Sequence, residues 1–229
     1  MSTIEKNIAK VGARIREAAQ AVGREPATVG LLAVSKTQPA AAIRDAFAAG
    51  LRDFGENYLQ EALDKQAELD DLPLTWHFIG PIQSNKTKAI AEHFDWVHSV
   101  DRLKIAQRLS DQRPEALPPL NICLQVNVSG EASKSGCAPQ EVQQLARAIT
   151  ALPRLRLRGL MCIPAPSEDP AEQRAAFARL RQLRDELALD LDTLSIGMSQ
   201  DLEAAIAEGA TWVRIGTALF GARDYGRPQ

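Results

Sequence analysis

The sequence predicts an α/β fold, a single (β/α)8 TIM barrel with an extra helix at its N-terminus. Short apolar runs of the kind that buried strands need alternate with helical patterns along the chain, and eight such runs can be counted. This alternation predicts parallel strands joined by right-handed crossovers, and 229 residues suffice to close eight of them into a barrel. The segment after the first strand, SKTQPA, contains no glycine, which disfavours the competing open sheet with a dinucleotide-binding loop.

The first half of the chain predicts the extra helix and four strand–helix units. Apolar residues from Ile4 to Val22 recur at helical spacing and form one face of the N-terminal helix. Pro39 suits the first turn of the next helix, and Gly50 suits the position just after its end. The predicted elements are strand 28–36 with helix 40–50, strand 52–57 with a helix to about residue 70, strand 75–80 with helix 85–94, and strand 95–100 with helix 101–112.

The second half predicts four more strands. The run PLNICLQVNVS is the most β-rich, whereas RLRLR (154–158) fits either a strand that enters the barrel from solvent or a basic contact to nucleic acid. The predicted elements are strand 119–129 with helix 139–152, strand 156–163 with helix 170–188, strand 192–197 with helix 199–209, and a last strand within 211–221. No linker or low-complexity segment interrupts the series, so we expect one domain over residues 1–229.

The composition disfavours several classes of function. A net charge of −2 and a pI near 6.0 provide no broad positive field, so we expect no nucleic acid and no membrane partner. The cysteines Cys123, Cys137 and Cys162 show neither disulfide nor zinc spacing, and the histidines lack the spacing of metal ligands. The charged N-terminal helix differs from a secretion signal, and no stretch is apolar enough to span a bilayer. We therefore expect a cytoplasmic protein without a metal site.

Lys36 is the first candidate functional residue, because it ends the first predicted strand. Barrel enzymes place their sites at the C-terminal ends of the strands, and the apolar run LLAV precedes Lys36 directly. Partial desolvation there disfavours the charged form of the amine and makes it a nucleophile suited to Schiff-base formation. A lysine that simply reaches solvent is the alternative, and position alone does not decide between them.

Two loops near the C-terminus predict a phosphate site. Ser199 occupies a position typical of a helix N-cap, while Gly216 and Thr217 follow the last strand and offer backbone N–H groups and a hydroxyl. Phosphate sites of barrels are frequently built from the loops after strands seven and eight, where these residues fall. The sequence therefore favours a phosphate-bearing ligand.

Three further polar residues have open roles. Arg214 lies within the last strand and needs an acceptor, which is either a ring nitrogen of a ligand or a buried carboxylate such as that of Glu56. Asn57 either contacts a ligand ring or satisfies its own loop through an Asx turn. Lys134 lies in the small, polar loop 129–136 and reaches a ligand only if that loop closes over the barrel.

Together these segments resemble a known family, the pyridoxal phosphate homeostasis proteins (YggS/PROSC family). The resemblance covers the chain from the first strand to the last. It is carried by LLAVSKTQP (31–39), FGENYLQEALDK (54–65), WHFIGPIQSNK (76–86), SKSG (133–136), RLRGLMCIPAP (156–166), GMSQDLEAAI (197–206) and VRIGTALFGARDY (213–225). It implies the barrel of the alanine racemase N-terminal domain, with pyridoxal 5′-phosphate (PLP) as a Schiff base on Lys36. It further implies phosphate contacts from Ser199, Gly216 and Thr217, a contact of Arg214 with the pyridine nitrogen, and Asn57 near the ring.

The resemblance also implies a function, a carrier or buffer of PLP in vitamin B6 homeostasis without a catalytic residue. Such a carrier has apo PLP-dependent enzymes as its possible partners. The alternative is a PLP-dependent amino-acid racemase, but a cation beside the pyridine nitrogen weakens the cofactor as an electron sink. Alanine racemases also carry a C-terminal β domain that supplies a tyrosine across a dimer interface, whereas the only tyrosines here are Tyr58 and Tyr225. We expect a monomer.

Overall fold

The computed structural model describes residues 1–222 and contains a closed barrel of eight parallel strands. The strands are β1 (Gly30–Val34), β2 (Asp53–Glu56), β3 (Thr75–Phe78), β4 (Trp96–Val100), β5 (Leu120–Gln125), β6 (Leu155–Met161), β7 (Thr193–Ser195) and β8 (Trp212–Ile215). Each strand pairs with the next one in sequence, and β8 pairs with β1 through the register Leu31 to Val213. The predicted (β/α)8 barrel is confirmed, and the open sheet is excluded.

Helices surround the barrel in the order that the sequence predicts. They are α1 (Thr3–Ala21), α2 (Ala40–Ala48), α3 (Leu59–Glu68), α4 (Thr87–His93), α5 (Leu103–Gln112), α6 (Val142–Thr150), α7 (Pro170–Glu186), α8 (Leu202–Ala207) and α9 (Thr217–Phe220). Short 3-10 turns occupy Pro26–Thr28, Ser84–Lys86 and Pro139–Glu141. Within residues 1–222, no helix combines the length and the apolar character that crossing a membrane requires.

The extra helix α1 packs against α8, α9 and α2 on the outside of the barrel. It begins with a capping box in which Ser2 and Glu5 exchange hydrogen bonds, and its buried face carries Val11 and Ile15. Arg14 of this helix donates to both carboxylate oxygens of Glu203 at 2.9 Å. Helix α1 is therefore attached to the region that follows β7.

Several strands are shorter than the sequence predicts. In the run 119–129 the strand ends at Gln125. The Val126 N–H still donates to the Met161 carbonyl at 2.9 Å, and Val126 forms an isolated bridge with Cys137. The run 211–221 divides into β8 and α9, because Gly216 departs from strand geometry with φ −116° and ψ −80°. The apolar composition of both runs reflects burial at the end of the barrel and not continued strand pairing.

Aromatic side chains fill the barrel near the N-terminal ends of its strands. The ring of His77 stacks on Trp96 at 5.5 Å, and Trp212 contacts both rings edge-on. Gly30 lies against Trp212, where a Cβ atom would come within 2.5 Å of the indole. Arg158 of the RLRLR run lies over the ring of Trp96 and forms an ion pair with Asp192, the residue before β7. These contacts are expected of a strand that enters the barrel from solvent.

Candidate functional site

A cavity of about 710 Å³ opens at the C-terminal ends of the strands, where barrel sites are expected. Its wall combines apolar side chains, among them Val34, Ile79 and Ile163, with polar groups from distant parts of the chain. The six residues that are predicted to bind PLP all line it, namely Lys36, Asn57, Ser199, Arg214, Gly216 and Thr217. The fold thus brings residues as distant in sequence as Lys36 and Thr217 into one site.

Lys36 lies in a tight turn two residues beyond the end of β1 and is half-buried. The next residue, Thr37, has a positive φ of 65°, which is uncommon for a β-branched residue and marks a constrained backbone. The Thr37 N–H donates to Glu61 Oε1 at 2.5 Å, and the Gln38 N–H donates to the Ser35 carbonyl at 3.0 Å. These contacts fix the backbone that carries the lysine.

Beneath this turn lies a buried ion pair between Glu56 and Lys65. Glu56 Oε1 accepts from Lys65 Nζ at 2.8 Å and from Ser35 Oγ at 2.7 Å, while Lys65 Nζ also donates to the Ser35 carbonyl and to Glu61. Burial raises the pKa of Glu56 above its ordinary value, although Lys65 and Ser35 act in the opposite direction. The pair joins the end of β1 to β2 and α3, and so supports the position of Lys36.

Arg214 does not pair with Glu56, contrary to one of the two alternatives that the sequence leaves open. Lys65 already occupies that carboxylate, and Arg214 instead donates to backbone and hydroxyl oxygens of neighbouring strands. Its NH1 group donates to the Ser195 carbonyl at 2.6 Å and to Ser195 Oγ at 2.8 Å, and NH2 donates to the Cys162 carbonyl at 3.0 Å. Burial lowers the pKa of Arg214 from its ordinary value, yet a guanidinium stays charged in proteins. A buried cation therefore lines the cavity.

Ser199 lines the cavity but does not cap a helix, which corrects the sequence prediction. Helix α8 begins at Leu202, and Asp201 takes the position before it. Asp201 Oδ1 accepts from the Met198 N–H at 2.6 Å, and this local bond starts the helix two residues later than expected. Arg14 of α1 donates to the Ser199 carbonyl at 3.0 Å and holds the loop from outside.

Gly216 and Thr217 form the adjacent part of the wall, after β8. A Cβ atom at Gly216 would lie 3.3 Å from the Val34 carbonyl, so glycine allows the loop to lie close against the end of β1. Thr217 opens the four-residue α9, and backbone N–H groups of a first helical turn have no partner inside their own helix. Gly216 and Thr217 line the cavity together with Ser199, so residues that carry N–H and hydroxyl donors lie next to each other in its wall.

Asn57 contributes an unsatisfied acceptor. Its Oδ1 atom is buried and has no hydrogen-bond partner within residues 1–222, so the Asx turn considered from the sequence does not form through this oxygen. Leaving a buried acceptor unpaired costs about 1–3 kcal/mol, which a donor on a ligand would remove. Lys134 lines the same cavity and a side chamber of about 220 Å³ that it shares with Asn57 and Gln125.

Comparison with known proteins places the chain in a family. The family model for the alanine racemase N-terminal domain matches residues 7–224. The pyridoxal phosphate homeostasis protein of Pseudomonas aeruginosa is 79% identical over 228 residues, covering 100% of this chain and 99% of that protein. The protein of the same name from Escherichia coli K12 is 54% identical, covering 99% of this chain and 100% of that protein. The chain belongs to the pyridoxal phosphate homeostasis protein family. The resemblance drawn from the sequence motifs is confirmed.

Solved structures of this family have the same fold. PipY of Synechococcus elongatus with PLP bound is 43% identical with a TM-score of 0.84, covering 95% of this chain and 100% of that chain. The structure of PipY without PLP gives a TM-score of 0.86 at 44% identity. Alanine racemase of Corynebacterium glutamicum is only 18% identical and shares the fold alone, with a TM-score of 0.66 over 99% of this chain and 63% of the racemase.

Other residues considered from the sequence lie away from the cavity. Tyr58 is 55% exposed and does not line it, and Tyr225 lies outside the described residues. Within the described part of the chain, no group of three or more histidine, cysteine or acidic side chains is arranged to hold a metal ion. Burial raises the pKa of the Cys123, Cys137 and Cys162 thiols to about 12, which leaves them unreactive.

The ion pair beneath Lys36 leads to a prediction about stability. Replacing Lys65 with methionine leaves Glu56 buried without its cation, so the pKa of Glu56 rises further above its ordinary value of 4.5. A raised pKa in the folded state means that stability falls as pH increases through it. We expect Lys65→Met to lose about 3–5 kcal/mol of unfolding free energy at pH 8 and clearly less at pH 5, measured by urea denaturation.

Lys88→Met is the matched control, because the Lys88 ammonium is 71% exposed and lies 3.9 Å from Glu92. This variant should unfold at the same urea concentration as the wild type at both pH values, since exposed ion pairs contribute little. An equal loss of stability in Lys65→Met at pH 5 and pH 8 would contradict the assigned role of Glu56.

Proposed function

We propose that this family member binds PLP reversibly through a Schiff base on Lys36 and serves as a non-catalytic carrier or buffer in cytoplasmic vitamin B6 homeostasis. One observation carries the proposal: Lys36, Arg214 and the loops after β7 and β8 line a single cavity. The PLP bound in PipY and the name shared by the bacterial relatives support it.

The chemistry of the cavity fits PLP. Bound PLP supplies an aldehyde that condenses with a primary amine and releases water, on a ring that also carries a phosphate and a pyridine nitrogen. Lys36 provides the amine at the edge of an apolar wall. Asn57 Oδ1 offers a buried acceptor without a partner in the described chain, and a ring substituent that donates a hydrogen bond satisfies it.

The phosphate is assigned to the loops after β7 and β8. The hydroxyls of Ser199 and Thr217 and the backbone N–H groups near Gly216 are donors of the kind that phosphate oxygens accept. The carboxylate of Asp201 lies in the same wall, and burial raises its pKa above the ordinary value.

Arg214 is assigned to the ring nitrogen. Three hydrogen bonds hold its guanidinium, which has five N–H groups, so donors remain for a ligand. A fixed cation at this point disfavours protonation of the ring, and an unprotonated ring stabilises a carbanion poorly. The arrangement favours holding PLP over using it, and we assign no catalytic residue.

The remaining parts of the proposal concern the chain as a whole. We propose that residues 1–229 act as one domain and as a monomer, and that the partners are apo PLP-dependent enzymes that receive the cofactor. The exposed apolar side chains of Ile163 and Met198 at the cavity rim leave the opening accessible for release. A PLP-dependent amino-acid racemase remains the second candidate on the grounds of the shared barrel.

The role of Lys36 is tested by spectroscopy. Wild-type protein mixed with PLP should develop a visible Schiff-base absorption band that borohydride reduces and fixes, because the amine and the aldehyde form a C=N bond. Lys36→Ala should lack the band, and Lys104→Ala, which changes an exposed lysine of α5, should retain it. A band of wild-type intensity fixed by borohydride in Lys36→Ala would refute the assignment.

The role of Thr217 is tested by the rate of PLP release. Thr217→Val keeps the shape of the side chain and removes its hydroxyl, and a hydrogen bond to a charged group contributes about 1.5–3 kcal/mol. We expect PLP to leave this variant about tenfold faster, measured by transfer to an excess of an apo-enzyme that becomes active. Thr150→Val on the exposed face of α6 is the control and should release PLP at the wild-type rate.

Whether the protein is an enzyme is tested with deuterium. Holo-protein incubated with L-alanine in deuterated water should incorporate α-deuterium no faster than free PLP at the same concentration, because Arg214 weakens the ring as an electron sink. Mass spectrometry and chiral chromatography measure incorporation and inversion. Rapid incorporation with inversion, abolished in Lys36→Ala, would establish the racemase instead.

A further inference from the structure

A chain of hydrogen bonds crosses the barrel interior from the cavity to the N-terminal ends of the strands. Arg214 NH1 lies 2.8 Å from Ser195 Oγ, which lies 2.7 Å from His98 Nδ1. His98 Nε2 then contacts His77 Nδ1 at 2.9 Å, and His77 Nε2 contacts Asp53 Oδ1 at 2.9 Å. The serine and both histidines are fully buried, whereas the side chain of Asp53 is 28% exposed.

The carboxylate end of this chain determines the direction of its bonds when each histidine carries one proton. A guanidinium only donates, so Ser195 Oγ accepts from Arg214, and its O–H is donated to His98 Nδ1 when that nitrogen carries no proton. The proton of His98 then resides on Nε2 and is donated to His77 Nδ1. His77 in turn carries its proton on Nε2 and donates it to the Asp53 carboxylate, which only accepts.

Both histidines are neutral in this arrangement, with one proton each. Burial lowers the pKa of His77 despite the nearby carboxylates of Asp53 and Asp95, and burial lowers that of His98 well below its ordinary value. His77 and Arg214 are the charged or titratable neighbours that act on His98, and both also lower its pKa. A single pattern of protons therefore satisfies the whole chain.

The chain of hydrogen bonds also connects two groups of opposite charge, the guanidinium of Arg214 and the carboxylate of Asp53. Arg214 is buried and makes no carboxylate ion pair within the described residues, although the carboxylate of Asp201 in the cavity wall acts on it through space. Asp53, the first residue of β2, supplies a carboxylate at the far end of the barrel. The intervening dipoles all point the same way, and such chains strengthen each bond in them.

We propose that Ser195, His98, His77 and Asp53 form a positioning relay that fixes the guanidinium of Arg214 and couples a carboxylate at the opposite end of the barrel to ligand retention in the cavity. None of the four lines the cavity, so they act through Arg214. The relay rests on the proposed function, because it matters to retention only if the ring nitrogen of PLP lies against Arg214.

The proton pattern is tested first, without any ligand. The protein sequence contains only three histidines, and the third, His93, is exposed at the end of α4. Long-range 1H–15N spectra of the ligand-free protein should show His77 and His98 neutral with the proton on Nε2, and His93→Gln identifies the third set of signals. Protonation of His98 on Nδ1, or of both nitrogens at neutral pH, would overturn the relay whatever the protein binds.

Coupling to the ligand is tested by the rate of PLP release. Ser195→Ala breaks the relay while Arg214 keeps its two carbonyl partners, and Asp53→Asn removes the distant charge while keeping an acceptor. We expect both variants to release PLP about fivefold faster or more, a coupling of ordinary size, and to shift the histidine signals. Ser195→Thr restores the hydroxyl and should restore slow release.

Asp192→Asn is the matched control, because Asp192 is a carboxylate at the same end of the barrel but binds Arg158 and not the relay. It should release PLP at the wild-type rate. Wild-type rates in both Ser195→Ala and Asp53→Asn would overturn the coupling. Failure of the wild type to bind PLP would refute the proposed function instead. The tautomers of the histidines would then show by themselves whether the hydrogen-bonded relay exists.

Discussion

The buried charge of Arg214 is the constraint on which the centre of this barrel depends. A guanidinium cannot become neutral to escape burial, so oxygen atoms from other strands must approach it. The carbonyl of Cys162, just after β6, and the carbonyl and hydroxyl of Ser195 in β7 provide them. This requirement fixes the relative positions of three neighbouring strands at the level where the cavity begins. The shape of the cavity wall thus follows from the need to surround one buried cation with protein oxygen atoms in place of water.

A second buried charge system supports the part of the cavity at the ends of β1 and β2. Glu56 accepts from the hydroxyl of Ser35, the residue before Lys36, and Lys65 donates to the Ser35 carbonyl, so the two side chains hold the backbone from which Lys36 extends. The two systems do not share a carboxylate, so the contacts that support Lys36 are separate from those that hold Arg214. Each system keeps a polar end of the cavity rigid, while apolar side chains fill the space between them.

The sequence predicts the architecture and the composition of the cavity wall well, and its polar interior poorly. Hydrophobic periodicity and turn residues locate all eight strands. Position draws attention to Lys36 and Arg214, but only the family resemblance assigns them a role, and the structure places both in the cavity wall. Ser199 was wrongly expected to cap a helix, because a local bond from Asp201 replaced it. The role of Lys65 is not predicted, because a lysine four residues after Glu61 is typical of an ion pair on the exposed face of a helix. The contact of His77 with His98 depends on the register of β3 against β4, which spacing along the chain does not reveal.

The pairing of β8 with β1 gives the cavity one more property. Lys36 follows the first strand, Gly216 follows the last, and the two strands meet along the seam where the sheet closes on itself. Lys36 and Gly216 are far apart in sequence yet adjacent in space. A ligand that binds both would link the first strand to the last across that seam. Binding of such a ligand would stabilise the closed barrel, and its release through the cavity opening would remove that stabilisation.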